Sequence, residues 1–116
     1  MSTFTLGGAG TKTQTTGTMR FGGAANGIVF TSGTVEYNAA ITQAITGGSS
    51  YAILLLSGTG TKQVLAGVTV HTTSSLTVGT GITLDVAATG VVQVDGDLTL
   101  NGTGNITNAG AITVGV

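Results

Sequence analysis

The chain has no cysteine, no proline and no tryptophan, and only 6% of its 116 residues are charged. Without cysteine there are no disulfides and no thiolate metal centres, although this does not fix a compartment. Without proline nearly every residue keeps an N–H for a hydrogen-bond ladder, which suits a chain made mostly of central strands. Lys12, Arg20 and Lys62 are the only basic residues besides His71, and with a net charge of -1 they make no footprint for nucleic acid or an anionic membrane surface. The longest apolar run, Tyr51 to Leu56, falls far short of the roughly 18 residues of a transmembrane helix. The longer alternating strands and aromatic girdles of a membrane barrel are missing too, so no membrane insertion is expected. At the N-terminus no basic residue precedes an apolar stretch, so no signal peptide is read in this sequence. Low charge combined with a mean hydropathy of +0.48 argues against disorder.

What is present is a short repeated unit and 21 glycines. From Val68 onward an apolar residue, a polar residue and a second apolar residue recur as Val68-Thr69-Val70, Leu76-Thr77-Val78, Ile82-Thr83-Leu84, Val92-Gln93-Val94, Leu98-Thr99-Leu100 and Ile112-Thr113-Val114, with a weaker copy at Asn105-Ile106-Thr107. Alternation on a strand sends the two apolar groups to one side and the polar group to the other. Strands this short bury little as hairpins, but as successive turns of a coil each lies on its equivalent one turn away. The fold class expected is therefore all-β, a parallel β-helix (β-solenoid) of about five short coils. Glycine, asparagine and aspartate between the copies supply the corners. The triplet centres fit three per coil, with coils of about 24 and 20 residues, or two per coil with shorter ones. A triangular section encloses more apolar side chains, so three is preferred.

Residues 1–20 are polar and rich in Thr and Gly, and are expected to form an extended N-terminal arm, followed by the solenoid proper over 21–116. In the arm Phe4 and Leu6 share a strand face, whereas Thr11 to Thr15 has no apolar partner. The arm is expected to cover the first coil or to pair with another subunit. Ala39 to Ile45 fits either a helix face or an alternating strand, and strand is favoured by its neighbours. The continuous run Tyr51 to Leu56 predicts a strand covered on both faces.

Gly33-Thr34-Val35-Glu36-Tyr37-Asn38, Gln43-Ala44-Ile45, Leu56-Ser57-Gly58-Thr59-Gly60-Thr61-Lys62, Leu65-Ala66-Gly67 and Val68-Thr69-Val70 followed by Leu76-Thr77-Val78 carry a resemblance. They resemble a repeat unit of large secreted bacterial surface proteins, the adhesin-like and haemagglutinin-like β-solenoids. The resemblance spans about residues 33–100 and implies an extracellular or cell-surface location and a structural or adhesive, non-enzymatic role.

A solenoid has two open ends, and neither end of this sequence reads as a capping helix. Subunits are therefore expected to stack end to end into a homopolymer, an extracellular filament or matrix fibre, through Phe4, Leu6, Phe21, Ile112, Val114 and Val116. The alternative is a surface binding module for ice or polysaccharide, the second partner class after copies of the chain itself. Other chemistry is sparsely supported. His71 falls on the outer face beside Thr69, and a single histidine without a second ligand reads as a surface residue. Asp85, Asp95 and Asp97 are the only clustered acids, and Asp95-Gly96-Asp97 reads as a turn before it reads as a calcium site or a glycosidase pair. Serine and threonine without an activating base do not make a nucleophile. No catalytic residue, metal or cofactor is expected. Asn101-Gly102-Thr103 and Asn105-Ile106-Thr107 fit the glycosylation pattern in a chain where Asn and Thr are simply abundant.

Overall fold

The computed structural model describes residues 34–45 and 50–115 in full, together with the backbone of five short strands ahead of them. Those five are β1 (Thr3–Phe4), β2 (Lys12–Gln14), β3 (Thr18–Phe21), β4 (Ala24–Ala25) and β5 (Ile28–Phe30). They are followed by β6 (Thr34–Tyr37), β7 (Gln43–Ala44), β8 (Ser50–Leu56), β9 (Thr61–Val64), β10 (Thr69–Val78), β11 (Thr83–Val86) and β12 (Val91–Val94). The chain closes with β13 (Asp97–Leu100), β14 (Asn105–Asn108) and β15 (Ala111–Val114). Every pairing between them is parallel, and no described residue is helical.

The strands wind as a three-sided coil. One side carries β6, the second half of β8, the second half of β10 and β13; the next carries β7, β9, β11 and β14; the third carries the first halves of β8 and β10, then β12 and β15. Thr34 to Val114 makes about four turns of this β-solenoid, one fewer than the sequence suggested. The strands β1 to β5 ladder in the same parallel sense ahead of those turns. Three triplets per coil is the observed division. The step is 22 residues from Thr69 to Val91 and 20 from Val91 to Ala111, where the triplet centres suggested 24 and 20. The difference arises because β10 runs through a corner, so His71, not Thr69, lies beside Gln93.

Alternation decides which groups go inside. Val70, Val78, Ile82, Leu84, Val86, Val92 and Val94 have no exposed surface, while Thr77, Thr83 and Asp85 between them look outward and are only part buried. Each such aliphatic side chain removed from water contributes roughly 1.5–3 kcal/mol, and the inward stacks join into one core from Val35 to Val94. Earlier in the core Tyr37 and Tyr51 meet edge to face at 6.3 Å, and one hydroxyl donates to the other across 2.8 Å.

Corners keep the ladder running. The amides of Ser57, Gly79 and Asn101 donate to the carbonyls of Tyr37, Leu56 and Val78, one coil back, at 2.8–2.9 Å. Ala87 and Ala109 do the same to Val64 and Val86, and Asp95 and Gly115 to Thr72 and Val94. Asp95-Gly96 is the expected turn, seated on Thr73-Ser74 of the coil below, and a Cβ on Gly96 would overlap the Ser74 carbonyl oxygen. At another corner Thr89 holds φ at 66°, where Gly67 one coil earlier holds 74°. A branched residue is unusual there, and its Oγ1 accepts the Gly67 amide at 3.0 Å, a bond glycine could not supply.

Two local expectations are revised, and β3 bears on a third. Only Gln43–Ala44 forms a strand in the ambiguous stretch, extended by the Ile45 amide donating to Gln63; Ile41 lies at a bend and is exposed. β8 is not fully covered outside, for Ile53 and Leu55 remain partly exposed while Tyr51, Leu54 and Leu56 are buried. The boundary drawn after residue 20 cuts β3, which ladders onto β6 from Thr18↔Thr34 to Phe21↔Tyr37, so part of the segment read as an arm lies in the same sheet as the coils.

Thr72 occupies the inward position between Tyr51 and Val94, and its fully buried hydroxyl has no hydrogen-bond partner. Thr72→Val removes that unsatisfied group and is expected to stabilise the fold by about 1 kcal/mol, read as a higher urea midpoint. Gly96→Ala is expected to do the reverse, because the Ser74 backbone must move to admit the methyl group.

Candidate functional site

The C-terminal coil differs from those beneath it in one respect. Its inward side chains continue the core stacks, Leu98 on Leu76, Leu100 on Val78, Ile106 on Leu84, Ile112 on Val92 and Val114 on Val94. The lower member of each pair is buried, but Leu100 is 43% and Val114 50% exposed, against 0% for Val78 and Val94. Leu98, Ile106 and Ile112 pack on the core from one side only. The result is a triangular apolar face rimmed by backbone. By the corner pattern above, the carbonyls of Leu100, Asn108 and Val114 occupy the positions from which Val78, Val86 and Val94 accept amides of the following coil. Among the described residues the stacks reach no further than this coil.

Of the six residues expected at the subunit contact, the structure brings Ile112 and Val114 together on this face. Phe4 is placed in β1, which pairs with β4 in a separate two-stranded sheet, and Phe21 in β3, at the other end of the ladder order from β13 and β15. Leu6 and Val116 lie outside the described residues. Leu100, Leu98 and Ile106 belong to the same face and were not singled out from sequence. The signal was available, since each lies in a triplet of the final coil, but it needed the coil division to be known.

The outer face carries one polar cluster. β12 lies on β10 with His71 beside Gln93, and Asp95 at the following corner reaches back. His71 Nε2 is 2.9 Å from Asp95 Oδ2, and Gln93 Nε2 donates to Asp95 Oδ1 at 3.0 Å. These hydrogen bonds, His71 first, hold the Asp95 carboxyl below its ordinary value. Asp85 sits on another side of the coil, so the three acids are not assembled into one site. Among the described residues no group of three His, Cys, Asp or Glu could hold a metal ion. The cluster is a part-buried surface clasp between two coils, and as a surface pair it contributes little to stability.

Lys62, counted from the sequence as a dispersed cation, is instead fully buried at an inward position between Gln43 and Leu84. Its Nζ donates to the Ala39 carbonyl at 2.7 Å, to Gln43 Oε1 at 3.1 Å and to the Thr59 carbonyl at 3.4 Å, while Gln43 Oε1 also accepts the Ala39 amide. The loop from Asn38 to Thr42 has carbonyls that no ladder satisfies, and the lysine fills that role from the coil above. Burial lowers its pKa below the ordinary lysine value. Alternation puts Lys62 on the inward face with Val64, and only its charge argues for the surface.

No family model matches the chain, and no match emerges among curated proteins or solved structures.

The buried lysine and tyrosine give the stability profile two opposite limbs. Lys62 binds its proton more weakly folded than unfolded, so stability rises with pH from its lowered folded pKa up to the unfolded value. Tyr51 is held well above its ordinary value by burial first and then by Tyr37, so stability falls once unfolded tyrosine ionises, above about pH 10. Urea midpoints followed from about pH 8 to 11 are expected to rise and then fall in the native chain. In Lys62→Met only the fall should remain; persistence of the rise would rule out Lys62 as its source.

Proposed function

We propose that this chain is a structural subunit that assembles end to end with copies of itself into a fibre or matrix of the extracellular, bacterial-surface kind. The observation that carries the proposal is the C-terminal coil, where the core stacks end in Leu100 and Val114 half exposed beside carbonyls positioned for another rung. A further coil would bury those side chains and extend every stack by one step, and a second copy can supply it. The contact is heterologous and does not close, so it propagates. Parallel rungs across the joint would resemble those within the subunit, which is the source of stiffness in cross-β assemblies. The resemblance of residues 33–100 to secreted surface repeats supports the extracellular setting.

The outer faces favour this reading over a binding module. Threonine stacks run for only two coils, as in Thr61–Thr83 and Thr77–Thr99, and then give way to asparagine or begin from leucine. Such short arrays do not make a regular hydroxyl lattice for ice. The two tyrosines, which could stack on a sugar, are both buried in the core.

Negative-stain microscopy over a rising protein concentration is expected to show unbranched filaments of uniform width. Leu100→Lys combined with Val114→Lys, at half-exposed positions, should leave the circular dichroism unchanged and abolish the filaments. A chain that sediments as a monomer at every concentration would overturn the proposal.

A further inference from the structure

Among the described residues a fully buried amine lies against a buried carboxamide. Gln43 of β7 and Lys62 of β9 are register partners on consecutive coils, 3% and 0% exposed. Lys62 Nζ is 3.1 Å from Gln43 Oε1, and the Ala39 amide donates to that same oxygen at 3.1 Å. The other partners of Nζ are the carbonyls of Ala39 at 2.7 Å and Thr59 at 3.4 Å. Three neutral oxygens thus surround the ammonium, and among the described residues no carboxylate is bonded to it to hold its third proton on. Burial lowers the pKa, so the neutral amine is reached at lower pH than in an ordinary lysine. With that proton gone, Nζ keeps two donors for the Ala39 and Thr59 carbonyls, and its lone pair takes the third direction, toward the amide group of Gln43.

We propose that Lys62 and Gln43 join in an intramolecular isopeptide bond that staples two consecutive coils together. The Nζ lone pair attacks Gln43 Cδ, and the carbonyl π electrons move onto Oε1, where the Ala39 N–H already points and stabilises the developing oxyanion. The Cδ–Nε2 bond then breaks as one Nζ proton passes to Nε2. Ammonia leaves, and the second Nζ proton stays as the N–H of the new amide. No oxidant, reductant or cofactor is consumed. Two features make an ordinarily inert pair reactive. The fold holds amine and carboxamide together at an effective concentration far above any in solution. Water, which would compete for the acyl carbon, is excluded because Ala39, Gln43 and Lys62 are all buried. The bond does not depend on the end-to-end assembly, but a fibre under tension gains from it, because coils joined at this rung cannot be peeled apart there.

Mass spectrometry reads the step directly. The native chain, folded and held at about pH 9, is expected to become lighter by one ammonia, whereas the same chain held unfolded in urea keeps its mass. Lys12, Arg20 and Lys62 are the only residues after which trypsin cuts, and an acylated lysine is not a cleavage site. Trypsin acting on the denatured chain should therefore release 21–62 and 63–116 before the bond forms, and a single 21–116 piece, lighter by ammonia, afterwards. The linked chain should melt about 10 °C higher, since the closed loop constrains the unfolded state. The alkaline rise in stability described above belongs to free Lys62, so it should fade as the linked form accumulates. Gln43→Met and Lys62→Met should each abolish the ammonia loss, and Gln43→Met should restore cutting after residue 62. If circular dichroism shows that neither variant folds, fragmentation of the native 21–116 piece decides alone, by placing the branch at Gln43 and Lys62 or elsewhere. An unshifted mass after prolonged incubation, or a loss mapped to an asparagine closed on the following amide, as at Asn101-Gly102, would overturn the bond.

Discussion

A strand of four residues buries two side chains and forms a handful of hydrogen bonds, which does not repay the entropy of ordering it. In this protein such strands persist because each lies against another one coil away, and those of the middle coils have one on either side. Thr69 to Thr72 rests under Val91 to Val94, which rests under Ala111 to Val114. The hydrogen-bond ladder sets the vertical spacing, and that spacing in turn forces inward side chains into stacks. Val70, Val92 and Ile112 form one such stack; Leu84 and Ile106 belong to another. Stability is then a sum over neighbouring coils, in the manner of other repeat proteins.

This dependence explains what could be read from the residues alone. The period-two triplets separated by turn residues are a direct imprint of short, half-buried strands, and those at Val70, Val78, Leu84 and Val92 lie where alternation puts them. The spacing fitted two or three strands per coil, and three was preferred because a triangular section encloses more apolar side chains. The exact register did not follow from it, because an insertion at a corner shifts it without disturbing any triplet. Between β8 and β10 the register slips by one residue at Thr73-Ser74, and both corner residues are exposed and chemically ordinary. Asp95-Gly96-Asp97 was legible as a turn from its Asp-Gly chemistry, and the structure adds the reason for the glycine, its close approach to the Ser74 carbonyl.

The residues that escaped sequence reading are those whose environment is made by another coil. Lys62 looks like a surface cation until the loop at Asn38 to Thr42 is placed beneath it, with carbonyls in need of a donor. Leu98, Leu100 and Ile106 look like ordinary core positions until they prove to lie in the C-terminal coil. In both cases the local text is unremarkable and the meaning lies about 20 residues away, across the stack and not along the chain. His71 and Asp95, 24 positions apart, pair for the same reason.

The step of about 22 residues also constrains how such a chain can change length. Adding or removing one residue within a strand would exchange inside for outside all along that rung, whereas duplicating a whole rung would leave every contact above and below as it was. Genes for proteins of this build should therefore grow and shrink in quanta of one turn, with odd-sized insertions tolerated only at corners. The single-residue slip at Thr73-Ser74 sits at such a corner.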